Sequence, residues 1–202
     1  ARQPTLVTLA RPLEELEERL RTRLGDANLS RVYLLEEALP PIFQHFGGVG
    51  LDFLASMTFE SFQATGLHLP SEVARNVQQA FRAARSFAES PEGWLTFLGG
   101  HGSGKTHLAA AVANHRLSRG EPVFFATVPD LLDHLRATFS PQSEVRYDEL
   151  FERLRTAPLL ILDDLGAQSV SSWTQEKLYQ LLNFRYQARL PTVITSALTL
   201  DE

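Results

Sequence analysis

The chain has 202 residues, a length that suits one domain with a short appendage. Hydrophobic residues make up 44% and charged ones 21%, enough for a packed core, and no apolar run approaches the roughly eighteen residues that cross a bilayer. The absence of cysteine excludes disulfides and thiolate metal sites, the six histidines lack ligand spacing, and the net charge of −5 argues against a surface that wraps duplex DNA.

Ala1 to Arg11 carry no apolar signal-peptide core, so a cytoplasmic protein is expected. The sequence opens without methionine and stops at Glu202 soon after a strand-like run, and both ends read as trimmed. Leu13, Leu16, Leu20 and Leu24 fall at helical spacing, with glutamates early and arginines late, as the helix dipole favours. A second apolar stretch, Val32 to Phe46, is punctuated by Pro40-Pro41 and Gly47-Gly48. Residues 1–56 are therefore expected to form a mainly helical segment, a packing appendage or a docking segment for a partner. The spacing of Val73, Val77, Ala80, Phe81, Ala84 and Phe87 predicts a helix from Ser71 to about Ala88, with Arg75, Arg82 and Arg85 on a solvated face or, alternatively, in contact with nucleic acid.

From Gly93 strands alternate with helices. Trp94 to Leu98 reads as a buried strand, Lys105 to about Leu117 as a helix, and Pro122 to Val128 as a strand. Helices follow over Asp130 to Phe139 and Asp148 to Arg155, then a short apolar strand, Leu159 to Leu162. Ser172 and Gln175 read as a capping box before a helix from Trp173 to about Ala188, and Thr192 to Ser196 is the next strand. Apolar strands separated by helices imply an α/β fold, a parallel sheet flanked by helices on both faces.

Gly99-Gly100-His101-Gly102-Ser103-Gly104-Lys105-Thr106 fits the phosphate-loop pattern GxxxxGK[ST]. Glycines let successive amides turn inward toward phosphate oxygens, and the helix that follows adds the positive end of its dipole. Lys105 would reach the β- and γ-phosphates of ATP, and the Thr106 hydroxyl would ligate Mg²⁺. The motif sits where it must, after a predicted strand and opening a predicted helix. The second signal is Leu159-Leu160-Ile161-Leu162-Asp163-Asp164, whose carboxylates emerge at the sheet edge that also carries the loop. Asp163 would hold Mg²⁺ and Asp164 would orient the attacking water. A strand lies between the motifs and another after them, an order that suits ATPases in which an extra strand separates loop from acid. In those a polar residue at the tip of the following strand senses the γ-phosphate.

At these residues the chain resembles a known family. Leu98 through Ala109, including His107, is similar to the phosphate loop of the DnaC/DnaI helicase loaders and of the related DnaA and IstB ATPases. Leu162 to Ala167 with Ser171-Ser172-Trp173, Asn183-Phe184-Arg185-Tyr186, and Leu190 to Ser196 look like the DnaI branch; Thr58-Phe59-Glu60-Ser61-Phe62 is similar to the segment that leads into that core. The resemblance implies a P-loop AAA+ core of the extra-strand (ASCE) type over 57–202, with nucleotide held by 99–107. It implies a helicase loader in DNA replication, bound to the hexameric replicative helicase, with single-stranded DNA in the assembled state, an ATP-dependent homo-oligomer and slow ATP hydrolysis as a switch. No membrane partner is expected. The competing readings are an IstB-like transposition helper and a nucleotide-binding module without hydrolysis.

Departures from the pattern sharpen these expectations. Ala197 stands where the branch has asparagine, which leaves sensing to Thr195 or Ser196. The sequence stops before the further strand, the lid helices and the neighbour-facing arginine, for which Arg185 is a weak substitute read as a solvated cap. The cysteine-rich zinc module that precedes the core in some DnaI proteins is absent. Asp163-Asp164 replaces the more usual Asp-Glu, which predicts slow turnover. Phe59 and Phe62 are candidates for adenine contact, with core packing as the alternative.

Overall fold

Leu160, Ile161 and Leu162 are each completely buried, which an alternating strand permits only where both faces of a sheet are covered. The computed structural model describes residues 51–62, 70–139 and 146–197 and shows how. In chain order the elements are α1 (Leu51–Ser56), α2 (Ser71–Glu89), β1 (Trp94–Leu98), α3 (Lys105–Ser118), β2 (Phe124–Thr127), α4 (Val128–Ala137), α5 (Tyr147–Thr156), β3 (Leu160–Leu165), α6 (Ser172–Gln187) and β4 (Thr192–Ser196). The helices expected between residues 1 and 50 lie outside the described residues.

The strands form one parallel sheet in the order β1-β4-β3-β2. The last strand is thus inserted between the strand that leads into the glycine loop and the acidic strand, which makes β4 the extra strand of an ASCE sheet. Alternation sends Phe125, Ile161 and Val193 to one face, where α2 and α3 cover them with Ala84, Phe87, Leu108 and Val112. Phe124, Ala126, Leu160 and Leu162 go to the other, under Leu131, Leu135, Leu150, Leu154, Leu178 and Leu181 of α4, α5 and α6. Among the described residues no helix is long and apolar enough to cross a membrane.

Expectations are corrected at β1, at β3, at the capping box and at Arg185. β1 is not buried throughout: Trp94, Thr96 and Leu98 are exposed and Phe97 is buried, because β1 is the edge strand and α2 and α3 cover only its other side. β3 does not end before its aspartates but runs on through Asp163 and Asp164 to Leu165, by way of a bulge. The capping box lies one residue earlier than expected. The Ser171 hydroxyl accepts from the Thr174 amide at 3.1 Å, and the Thr174 hydroxyl accepts from the Ser171 amide at 2.9 Å.

Arg185 is the largest fully buried side chain among the described residues, not a solvated cap or a neighbour-facing group. Its Nη1 donates to the carbonyls of Leu154, Arg155 and Ala157 at the end of α5, at 3.1, 3.0 and 2.9 Å. Nη2 donates to Pro191 O at 2.6 Å, and Nε to the Thr192 hydroxyl at 3.0 Å. Burial alone pushes the guanidinium pKa down to about 10, a cost that the five acceptors offset. One side chain therefore ties the C-terminus of α5 to the start of β4. Arg185→Lys, which replaces a planar fork by a single ammonium, should lower stability in urea unfolding by about 2–4 kcal/mol. A loss under about 0.5 kcal/mol would mean that water satisfies these carbonyls equally well.

Candidate functional site

The loop between β1 and α3 rises at the C-terminal edge of the sheet, the edge where open α/β folds bind ligands. Gly99 N–H donates to Ser196 O at 3.3 Å, which fixes the loop's start against the tip of β4. Gly104, the N-cap of α3, has φ of 90°. A Cβ there would sit 2.9 Å from the Phe62 ring, so this position needs glycine on two counts. The Lys105 ammonium turns back over the loop and donates to Gly99 O at 2.7 Å and Gly100 O at 2.9 Å. His101, Gly102 and Ser103 form the exposed crest. The first turn of α3 leaves amides with no partner inside the helix, aimed at the same mouth.

The acid stands beside this loop. Thr106 Oγ1 lies 3.1 Å from each carboxylate oxygen of Asp163. Thr195 Oγ1 donates to Asp163 Oδ1 at 2.6 Å and accepts from Asp164 N–H at 2.9 Å. Asp163 is 5% exposed, and burial pushes its pKa above the ordinary 3.8 against the opposing pull of the two threonine hydroxyls and, more weakly, Lys105. Asp164 has φ of 59°, a left-handed conformation that costs a non-glycine residue roughly 1 kcal/mol and that aspartate tolerates better than most. The sequence motif thus converges: Lys105, Thr106, Asp163 and Thr195 meet at one corner. Ser196 does not join them, since its hydroxyl donates to Leu165 O at 2.6 Å. Ala197 follows it, partly buried.

The segment that leads in, α1 and residues 57–62, lies along α3. Asn114 Nδ2 donates to Leu54 O at 2.8 Å and Met57 O at 2.9 Å. His107 Nε2 is 3.0 Å from Thr58 O and 3.2 Å from the Ser61 hydroxyl, so its ring faces this segment and not the phosphate loop. The Ser61 proton goes to Ser56 O at 2.8 Å, and a carbonyl only accepts, which makes Nε2 the donor. Phe59 is buried edge-on to Phe81, and Phe62 stacks on Phe81 and meets His107 edge-on. Both rings already have protein partners. The roles of His107 and Asn114 escaped the sequence reading. The available signal was two polar side chains seven residues apart, one face of a helix whose intervening positions are the apolar run Leu108 to Ala113.

Known proteins fit this geometry. The family model of the IstB-like ATP binding proteins matches residues 56–202. The replicative helicase loader DnaC of Escherichia coli (strain K12) is 31% identical over 126 residues, 61% of this chain and 51% of that protein. The replicative helicase loader DnaI of Bacillus subtilis (strain 168) is 30% identical over 144 residues, 70% of this chain and 45% of that protein. The crystal structure of the DnaC helicase loader matches at 26% identity with a TM-score of 0.55, covering 70% of this chain and 80% of that one. The chain spans about half the length of the curated relatives it matches. Its parallel sheet is the AAA+ P-loop arrangement of these neighbours. With the family model covering the whole stretch from α1's last residue through both motifs to Glu202, the chain belongs to the IstB-like ATP binding protein family.

Proposed function

We propose that the protein is an ATP-switched loader of the hexameric replicative DNA helicase, working in the cytoplasm and assisted by magnesium. The observation that carries this reading is the approach of Thr106 to both oxygens of Asp163, 3.1 Å each, at the mouth of a glycine loop. The names of the relatives, replicative helicase loaders DnaC and DnaI, supply the process.

The residues present suit Mg-ATP. A hydroxyl and a carboxylate are the hard oxygen donors that magnesium takes, and it commonly completes its shell with phosphate and water. The loop from Gly99 to Thr106, continued by the His107 backbone, would hold the phosphates, with Lys105 exchanging Gly99 O and Gly100 O for phosphate oxygens. Thr106 and Asp163 would hold the metal, and Asp164 would orient water. Bound Mg-ATP supplies the phosphoanhydride whose cleavage resets the switch. A neighbouring copy would supply an arginine to the site, giving an ATP-dependent homo-oligomer around single-stranded DNA. Residues 1–56 would be the docking segment, ahead of the ATPase core at 57–202.

An IstB-like transposition helper is the second reading, favoured by the family's name. Native mass measurement of the protein mixed with replicative helicase separates the two. The loader forms an ATP-dependent complex with the hexamer. Hydrolysis stimulated by duplex DNA, with no helicase bound, would transfer the protein to the transposition class.

Lys105→Ala should weaken ATP binding roughly 10- to 100-fold, the scale of one charge-assisted hydrogen bond. Unchanged affinity in a fluorescence titration would remove the nucleotide reading altogether.

Asp164→Glu should speed single-turnover hydrolysis, because the longer acid recovers about one bond length toward the water, a distance that can be worth about a hundredfold. The same change should cost stability, since glutamate suits φ of 59° less well. A rate equal to or below wild type would end the slow-timer idea.

Asp163 binds its proton more tightly folded than unfolded, so its contribution to stability is complete below 3.8 and is lost as pH rises through the raised folded value. Metal-free Asp163→Asn should therefore melt higher than wild type at neutral pH and lose that advantage in acid. Mg-ATP should reverse the neutral-pH order by stabilising wild type alone.

A further inference from the structure

We infer that Thr195 is a positioning residue, whose single hydroxyl closes the bulge in β3 and so sets where the Asp163 and Asp164 carboxylates stand. The inference takes its chemistry from the nucleotide reading above, but its geometry stands without it.

The register shows the bulge. Leu162 pairs with Ile194 and Leu165 with Ser196, so β3 spends Asp163 and Asp164 where β4 spends Thr195 alone. In an unbroken strand adjacent side chains point to opposite faces, and two neighbouring acids could not serve one corner. The extra residue breaks that alternation, and Asp164 enters the left-handed region to allow it.

Such a kink persists only if its surroundings hold it. Thr195 holds it from inside: it is 1% exposed, its proton goes to Asp163 Oδ1 at 2.6 Å, and its oxygen accepts from Asp164 N–H at 2.9 Å. Ser196 closes the far end by donating to Leu165 O at 2.6 Å. A hydroxyl has one proton to give. While Thr195 gives it to Asp163 it cannot give it to a phosphate, so the tip of β4 serves the acidic strand. The polar pair that the sequence offers as γ-phosphate sensors works instead as the clamp on the metal-binding strand.

The test compares Thr195→Val, which keeps the shape and loses the hydroxyl, with Thr195→Ser, which keeps the hydroxyl. Thr195→Ala replaces valine if thermal melting shows that valine prevents folding. Amide hydrogen exchange at Asp164 is measured without nucleotide. The magnesium midpoint for tightening of fluorescent ADP and of a non-hydrolysable fluorescent ATP analogue is measured separately. Loss of the hydroxyl should speed exchange at Asp164 and raise the magnesium midpoint about tenfold or more, equally for both nucleotides. Serine should return both to within about threefold of wild type.

An Asp164 amide as protected as in wild type would overturn the inference. So would a magnesium shift confined to the ATP analogue, which marks a γ-phosphate sensor, or serine failing as valine does, which marks packing of the methyl group. If the protein bound no nucleotide at all, the functional reading would fail while the exchange measurement still decided the clamp.

Discussion

The nucleotide site proposed for this sheet edge needs a carboxylate that stays charged where burial opposes its charge. Asp163 is 5% exposed, follows three fully buried aliphatic residues, and has Asp164 as its neighbour in the chain. Left alone, a group so placed would take up a proton and lose its value as a ligand. What keeps it usable is hydrogen bonding to the ionised form, a short bond from Thr195 on one side and a longer, shared one from Thr106 on the other, with Lys105 adding a weaker pull. Divalent metal would complete that set. The corner is therefore unfinished in an energetic sense, and the rest of the sheet stabilises it. Each of Leu160, Ile161 and Leu162 contributes roughly 1.5–3 kcal/mol by burial, enough together to carry one reluctant acid.

The same contacts join the loop, the acid and the lead-in segment into connected parts. Thr106 reaches Asp163 from the first turn of α3, while His107 on the next residue reaches Thr58 and Ser61 in the opposite direction. Phe62 then comes back over Gly104 at the loop's end. A displacement of that first turn must be shared among the acid, the loop and the segment before the core. Packed side chains are poorly compressible, so little of such a shift can be absorbed locally.

Much of this was legible in the sequence because the signals are local. The loop pattern, the apolar strand ending in acids and the spacing of the helices place Lys105, Thr106 and Asp163 together without any long-range information. Thr192 to Ser196 reads as a strand for the same reason, while its place between β1 and β3 is set by the sheet. Failures came where long-range packing decides. Nothing near Trp94 says that its strand lies at a sheet edge, and nothing near Arg185 says that the end of α5 will need capping from thirty residues away. The bulge was hidden for a subtler reason. Alternation of apolar and polar residues marks faces only while register holds, and Asp163-Asp164 is where it slips.

That slip also bears on why the second acid is short. A glutamate after Asp163 reaches farther, but the bulge asks its residue to adopt φ of 59°, where aspartate is among the better-tolerated non-glycine choices. Bulging the strand at Asp164 and reaching from there with a longer acid are therefore competing demands. With the bulge clamped by Thr195 and Ser196, this chain settles for geometry over reach. A corner that binds and holds while reacting slowly would suit the proposed switch, and the choice of acid there turns on which residue can occupy one left-handed position in one strand.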